Sequence, residues 1–79
     1  MRERVVQIMS HVLNVPVASL DETASPDTIA TWDSLNHMNL VLALEQEFGV
    51  QFRDEEILQL LSVTAIADAV AGRVAAGEP

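Results

Sequence analysis

One run of this chain constrains its fold more than any other: Ser34-Leu35-Asn36-His37-Met38-Asn39-Leu40-Val41-Leu42-Ala43-Leu44-Glu45-Gln46-Glu47-Phe48. It contains no glycine or proline, and its apolar residues return every three or four positions. That spacing specifies an amphipathic α-helix, about 22 Å long at 1.5 Å per residue. Asp33 precedes it as an N-cap, because its carboxylate can accept from a free N–H two or three residues on. Gly49 follows it and suits the left-handed position just past a helix end, with Val50 folding back toward Leu44. Helical spacing dominates elsewhere as well, and no alternating strand pattern appears. The expected fold is all-α: a small four-helix bundle with three longer helices and one short one.

The first helix is expected from about Arg2 to Leu13, with Val5, Ile8, Met9, Val12 and Leu13 on one face. Asn14 can adopt the left-handed closing conformation, and Pro16 prevents continuation. An irregular stretch from Val15 to Trp32 follows, punctuated by Pro16 and by Ser25-Pro26-Asp27-Thr28. Connections this long are uncommon and are often functional. Val17, Leu20, Ile29 and Trp32 are its expected anchors to the core. After Gly49, residues Gln51 to Arg53 connect to a brief helix opened by Asp54-Glu55-Glu56 and running to about Leu60. Ser62 or Thr64 caps a last helix with a buried stripe of Val63, Ile66, Val70 and Val74. Ala67 and Ala71 allow close approach there, and residues 76–79 form a tail expected to fray. Residues 1–79 read as one domain, and the chain's start and stop suggest a free-standing one.

The central helix carries more apolar surface than one packed face needs. On a wheel of 100° per residue, Leu40, Val41, Leu44 and Phe48 share one side. Leu35, Met38 and Leu42 lie on an adjoining side, giving an apolar arc of roughly 220°. Either this helix is unusually buried, or the second stripe meets a partner protein or a tethered acyl chain. The same stripe shares its turn with Ser34.

Charge and composition limit the chemistry. Twelve acidic residues face four arginines and no lysine, for a formal net charge of −8. Nucleic-acid binding needs cationic contacts to phosphate, so it is not expected. A partner with a basic docking patch suits this charge. The chain has no cysteine, which excludes disulfides and thiolate zinc sites. Any thioester chemistry must therefore use a borrowed sulfur. No stretch approaches the roughly 20 apolar residues of a membrane span, and no signal h-region is present. A cytoplasmic monomer is expected.

A helix N-terminus favours a phosphate, because its N–H groups are unpaired and the dipole is positive there. Ser34 sits at such a tip and supplies an oxygen through which a phosphate can be bound covalently. Little else in the chain can do chemistry unaided, so no catalytic or metal residues are assigned. His37 lies one turn into the helix and tilts toward the core. As a base for Ser34 it lacks an orienting carboxylate and an oxyanion site, so it reads as a structural histidine, as does His11. Asp21, Glu22 and Asp27 lack EF-hand spacing and read as a solvated loop. Trp32 reads as a core anchor, with a partner contact as the alternative.

The residues from Asp33 to Phe48 closely resemble the second helix of acyl carrier proteins, and the order of segments is similar across nearly the whole chain. The Asp-Ser-Leu tripeptide alone is weak evidence. It gains weight from the Leu-Val-Leu-Ala-Leu-Glu run, the Phe-Gly that follows and the second acidic turn. The resemblance implies a non-catalytic carrier with phosphopantetheine on Ser34, delivered from coenzyme A by a phosphopantetheinyl transferase recognising Asp33 and Leu35. It implies that Leu35, Met38, Leu42, Glu45 and Glu47 meet partner enzymes. Such partners include a loading ligase or acyltransferase and a ketosynthase or other downstream transferase. Asn36, Asn39 and Gln46 stand where the fatty-acid type is usually acidic, and Trp32 gives a Trp-Asp-Ser-Leu form. These departures suggest a specialised polyketide or hybrid pathway, with fatty-acid-type synthesis also open. An aminoacyl or peptidyl carrier is the alternative, although the Gly-Gly-x-Ser pattern of peptidyl carriers is absent. An unmodified helical interaction module is the third reading.

Overall fold

In the computed structural model, residues 2–75 are described. Helix α1 spans Arg2–Leu13, α2 Ser34–Phe48, α3 Asp54–Ile57 and α4 Val63–Ala75, with a single 3-10 turn at Val17–Ser19. No strand occurs among the described residues. Helix α1 packs mainly on α2, and α4 packs against both.

The helix ends follow from local chemistry. Asn14 closes α1 with φ 56°, and the Val15 N–H returns to the Ser10 carbonyl at 3.2 Å. Gly49 closes α2 at φ 65°, and the Val50 N–H returns to the Glu45 carbonyl at 3.2 Å. Both use the six-residue return bond of a left-handed helix stop. Between the two candidates for the α4 cap, the structure selects Ser62, whose Oγ accepts from the Ala65 N–H at 3.0 Å. Glu56 accepts from the Arg53 N–H at 3.0 Å and so steadies the start of α3.

The core is formed by Val5, Met9 and Leu13 of α1, Leu40, Val41 and Leu44 of α2, and Val63, Ile66 and Val70 of α4, all essentially inaccessible. The long connection adds Leu20, Ala24, Ile29 and Trp32, and the α2–α3 connection adds Val50 and Phe52. Several sequence expectations need correction. On α1, Val6 is buried whereas Ile8 and Val12 are only partly so, because the face turned to the bundle is rotated toward Val6. Val17 is exposed, since the 3-10 turn holding it stays at the surface and Leu20 alone turns inward. Helix α3 stops at Ile57, where the chain turns to carry Leu60 into the core. On α4, Ala71 and Val74 are exposed, whereas Val63, Ile66, Ala67 and Val70 carry the buried face. Phe48 is partly buried and packs at the core's edge. The expected fraying tail, 76–79, lies outside the described residues.

All four arginines are engaged. Arg2 donates to Thr64 Oγ1 at 3.2 Å. Arg4 of α1 pairs with Glu47 of α2. Arg53 lies 3.7 Å from Glu55 and 3.6 Å from Glu56. Arg73 of α4 pairs with Glu56, donates from Nε to the Gln51 carbonyl at 3.1 Å, and lies over the Phe52 ring with 5.8 Å to its centroid. The short α3 is thus held to α4 from outside the core.

Candidate functional site

The site begins with the backbone turn into α2. Asp33 is extended (φ −100°, ψ −177°), and its Oδ1 accepts from the Asn36 N–H at 2.8 Å. Its carbonyl accepts the His37 N–H at 2.8 Å, the first bond of the helix. The N–H groups of Ser34 and Leu35 precede that ladder and have no carbonyl behind them. Ser34 is exposed. The Asp33 carboxylate is already committed to Asn36 and does not engage the serine hydroxyl.

The residues before Ser34 are pinned in place. Thr31 Oγ1 donates to the Leu13 carbonyl at 2.6 Å, at the end of α1. Asn36 Nδ2 donates to the Thr31 carbonyl at 2.8 Å. Asn36 therefore ties the incoming loop to the first turn of α2 through both its backbone and its side chain. In the sequence Asn36 stands out only as a missing acid. The bond to Thr31 depends on the fold of the preceding loop, and no local signal in the sequence announces it.

Trp32 is buried, only 2% exposed. Its Nε1–H donates to His37 Nδ1 at 2.9 Å, and the two rings stack with 6.2 Å between centroids. An indole N–H only donates, so Nδ1 is the acceptor and the proton of the neutral imidazole is on Nε2. That Nε2–H then donates to the Ile57 carbonyl at 2.8 Å, at the end of α3. With both ring nitrogens committed, His37 is not placed to take a proton from Ser34. A groove of about 380 Å³ is lined by Pro26, Trp32, Asp33, Ser34, His37, Leu58 and Leu61. Leu58 and Leu61 had no assigned role in the sequence, yet they are 73% and 46% exposed beside the serine.

The residues expected to meet partners do not all share one face. Leu35, Met38 and Leu42 are 72%, 45% and 52% exposed, so the second apolar stripe of α2 faces outward. Glu45 adjoins it, but its Oε2 accepts from the Phe52 N–H at 2.9 Å and holds the α2–α3 connection. Glu47 lies on the other flank, paired with Arg4 of α1. Three of the five are thus exposed apolar residues on one stripe, with Glu45 at its edge and Glu47 apart from it. Glu47 falls about 140° away on a wheel of 100° per residue.

Among the other acids, Asp21 accepts from the Thr23 hydroxyl at 2.6 Å and the Thr23 N–H at 2.9 Å. These bonds hold its carboxyl below the ordinary range. Glu56 is lowered chiefly by the Arg53 N–H, with further help from the Arg73 and Arg53 charges. Among the described residues, no group of three His, Asp or Glu could hold a metal ion, and no helix is long and apolar enough to cross a membrane.

The geometry fits a phosphodiester on Ser34. Its oxygen is accessible, the neighbouring N–H groups are unpaired, the dipole is positive there, and an apolar groove opens beside it. Residues 3–70 match the family model of the phosphopantetheine attachment site. The chain is 36% identical over 74 residues to an acyl carrier protein of Thermosynechococcus vestitus (strain NIES-2133 / IAM M-273 / BP-1). The match covers 94% of this chain and 91% of that relative. The chain therefore belongs to the acyl carrier protein family, whose prosthetic group is covalently attached phosphopantetheine.

Proposed function

Starting from membership in this family, we propose that Ser34 bears the arm and that the chain carries acyl intermediates in a dedicated polyketide or hybrid pathway. The observation that carries this reading is the accessible Ser34 hydroxyl at a capped, rigidly held helix tip. In the loading reaction Ser34 Oγ attacks the β-phosphorus of coenzyme A. The phosphoanhydride bond breaks, adenosine bisphosphate leaves, and the hydroxyl proton passes to the transferase. The attached group supplies a terminal thiol, the sulfur this chain lacks, on which acyl groups ride as thioesters. Asp33 shapes the turn that the transferase reads, and Leu35 is the exposed residue beside it.

Leu35, Met38 and Leu42, with Glu45 at their edge, form the docking face for the transferase, for a loading ligase or acyltransferase, and for a ketosynthase or other downstream transferase. Asn36, Asn39 and Gln46 leave this helix less acidic than a fatty-acid carrier's, so steering by it is weaker and partner choice differs. Asn36 also cannot be replaced by an acid without losing its Nδ2 bond to Thr31. The protein acts as a cytoplasmic monomer that visits several enzymes and catalyses nothing itself.

Incubation with coenzyme A and a broad-specificity transferase, read by intact mass, tests the attachment. One adduct is expected on the wild type and none on Ser34→Ala, with helical circular dichroism unchanged. A folded wild type that stays unmodified overturns the reading. Preference for aminoacyl over acyl ligases in the loading step replaces acyl cargo with aminoacyl cargo. Full-rate replacement of a fatty-acid carrier in a reconstituted synthase removes the specialised pathway.

A further inference from the structure

An apolar chain tethered at Ser34 has two places to escape water: the open groove beside the serine, or the core beneath it. The Trp32 and His37 pair separates them. Both line the groove, and they are less exposed than Leu58 and Leu61, so they form its inner wall while the leucines form its rim. Leu40 follows His37 by one turn of α2 and is fully buried. Any passage from the groove toward Leu40 runs between the start of α2 and the end of α3. The His37 Nε2–Ile57 carbonyl bond spans that seam. Opening it leaves the Ile57 carbonyl with the Leu60 N–H alone, at 3.2 Å, and displacing the ring also leaves the Trp32 Nε1–H, a donor on a buried residue, without an acceptor. Unpaired buried polar groups are strongly disfavoured, so the seam resists a cargo that would wedge it apart.

We infer that His37 is a positioning residue for cargo: its bonds to Trp32 and Ile57 bar the route into the core and keep a Ser34-tethered acyl chain in the surface groove over Leu58 and Leu61. This rests on the attachment proposed above. A carrier built this way leaves its acyl group available to the next enzyme without first drawing it out of the bundle.

The experiment loads the full chain at Ser34 with four-carbon and eight-carbon acyl-coenzyme A, confirms each adduct by intact mass, and follows leucine and isoleucine methyl resonances. In the wild type, Leu58 and Leu61 methyls shift with chain length, while Leu40 and Ile66 methyls do not. In His37→Ala the eight-carbon chain shifts the Leu40 methyls. In His37→Gln, which keeps a donor and an acceptor, the wild-type pattern returns at least in part. Chain-length-dependent shifts at Leu40 or Ile66 in the wild type overturn the inference, as does a silent Leu58 and Leu61. The wild-type result decides the matter even where His37→Ala does not fold. Absence of any adduct overturns the attachment at Ser34 instead, and is distinguished by mass before any spectrum is taken.

Discussion

The two sides of α2 have nearly the same chemistry and opposite fates. Leu40, Val41 and Leu44 lie against α1 and α4 with essentially no exposure, while Leu35, Met38 and Leu42 face solvent on the same fifteen-residue helix. Water penalises both stripes equally per unit area. The difference is that only the inner stripe has a partner within the chain. An apolar face left uncovered on a helix that is otherwise well packed suits the docking role proposed above.

Substitutions separate the two sides by size of effect. Leu44→Ala removes a fully buried side chain and is expected to lower stability by about 2–5 kcal/mol, measured by urea unfolding. A cost below about 1 kcal/mol would mean the inner side is not the structural one. Asp33→Ala loses the cap shared with the site. It is expected to cost about 0.5–2 kcal/mol, so transferase rates on this variant need correction for the folded fraction. Glu56 sharpens the comparison through pH. Its folded-state pKa is lowered, so its stabilising contribution is complete above the ordinary glutamate value of about 4.3. That contribution fades as pH falls through the lowered value. Glu56→Gln should flatten the acid limb of the thermal-midpoint profile while leaving the neutral end reduced by roughly 1 kcal/mol or less. Leu42→Ala on the outer side should change stability by no more than about 0.5 kcal/mol. Its effect should appear as a raised KM for partner enzymes. A large loss of stability from this variant would place the outer stripe in the core.

Much of this arrangement was legible in local patterns. The caps Asp33, Asn14 and Gly49 act through groups within five residues, and the sequence gives their positions directly. The wide apolar arc of α2 posed the right question, but its answer needed the packing of α1 and α4. What could not be read was tertiary pairing. Glu45 bonds the Phe52 backbone, Glu47 meets Arg4, and His37 bridges Trp32 to Ile57. Each depends on how distant segments come together, and none has a spacing rule. Val17 and Val74 failed for a related reason: helical or apolar character says nothing about whether a neighbour extends far enough to cover a residue.

The engagement of every arginine has a long-range effect. With positive groups paired to nearby acids or held against the fold, the excess of eight negative charges is left for the surrounding solvent to screen. Two copies approaching one another meet mutual repulsion that fades only over a Debye length of about 8 Å at physiological salt. In a crowded pool such shuttles keep apart from one another, and encounters are biased toward whichever enzymes present cationic ground.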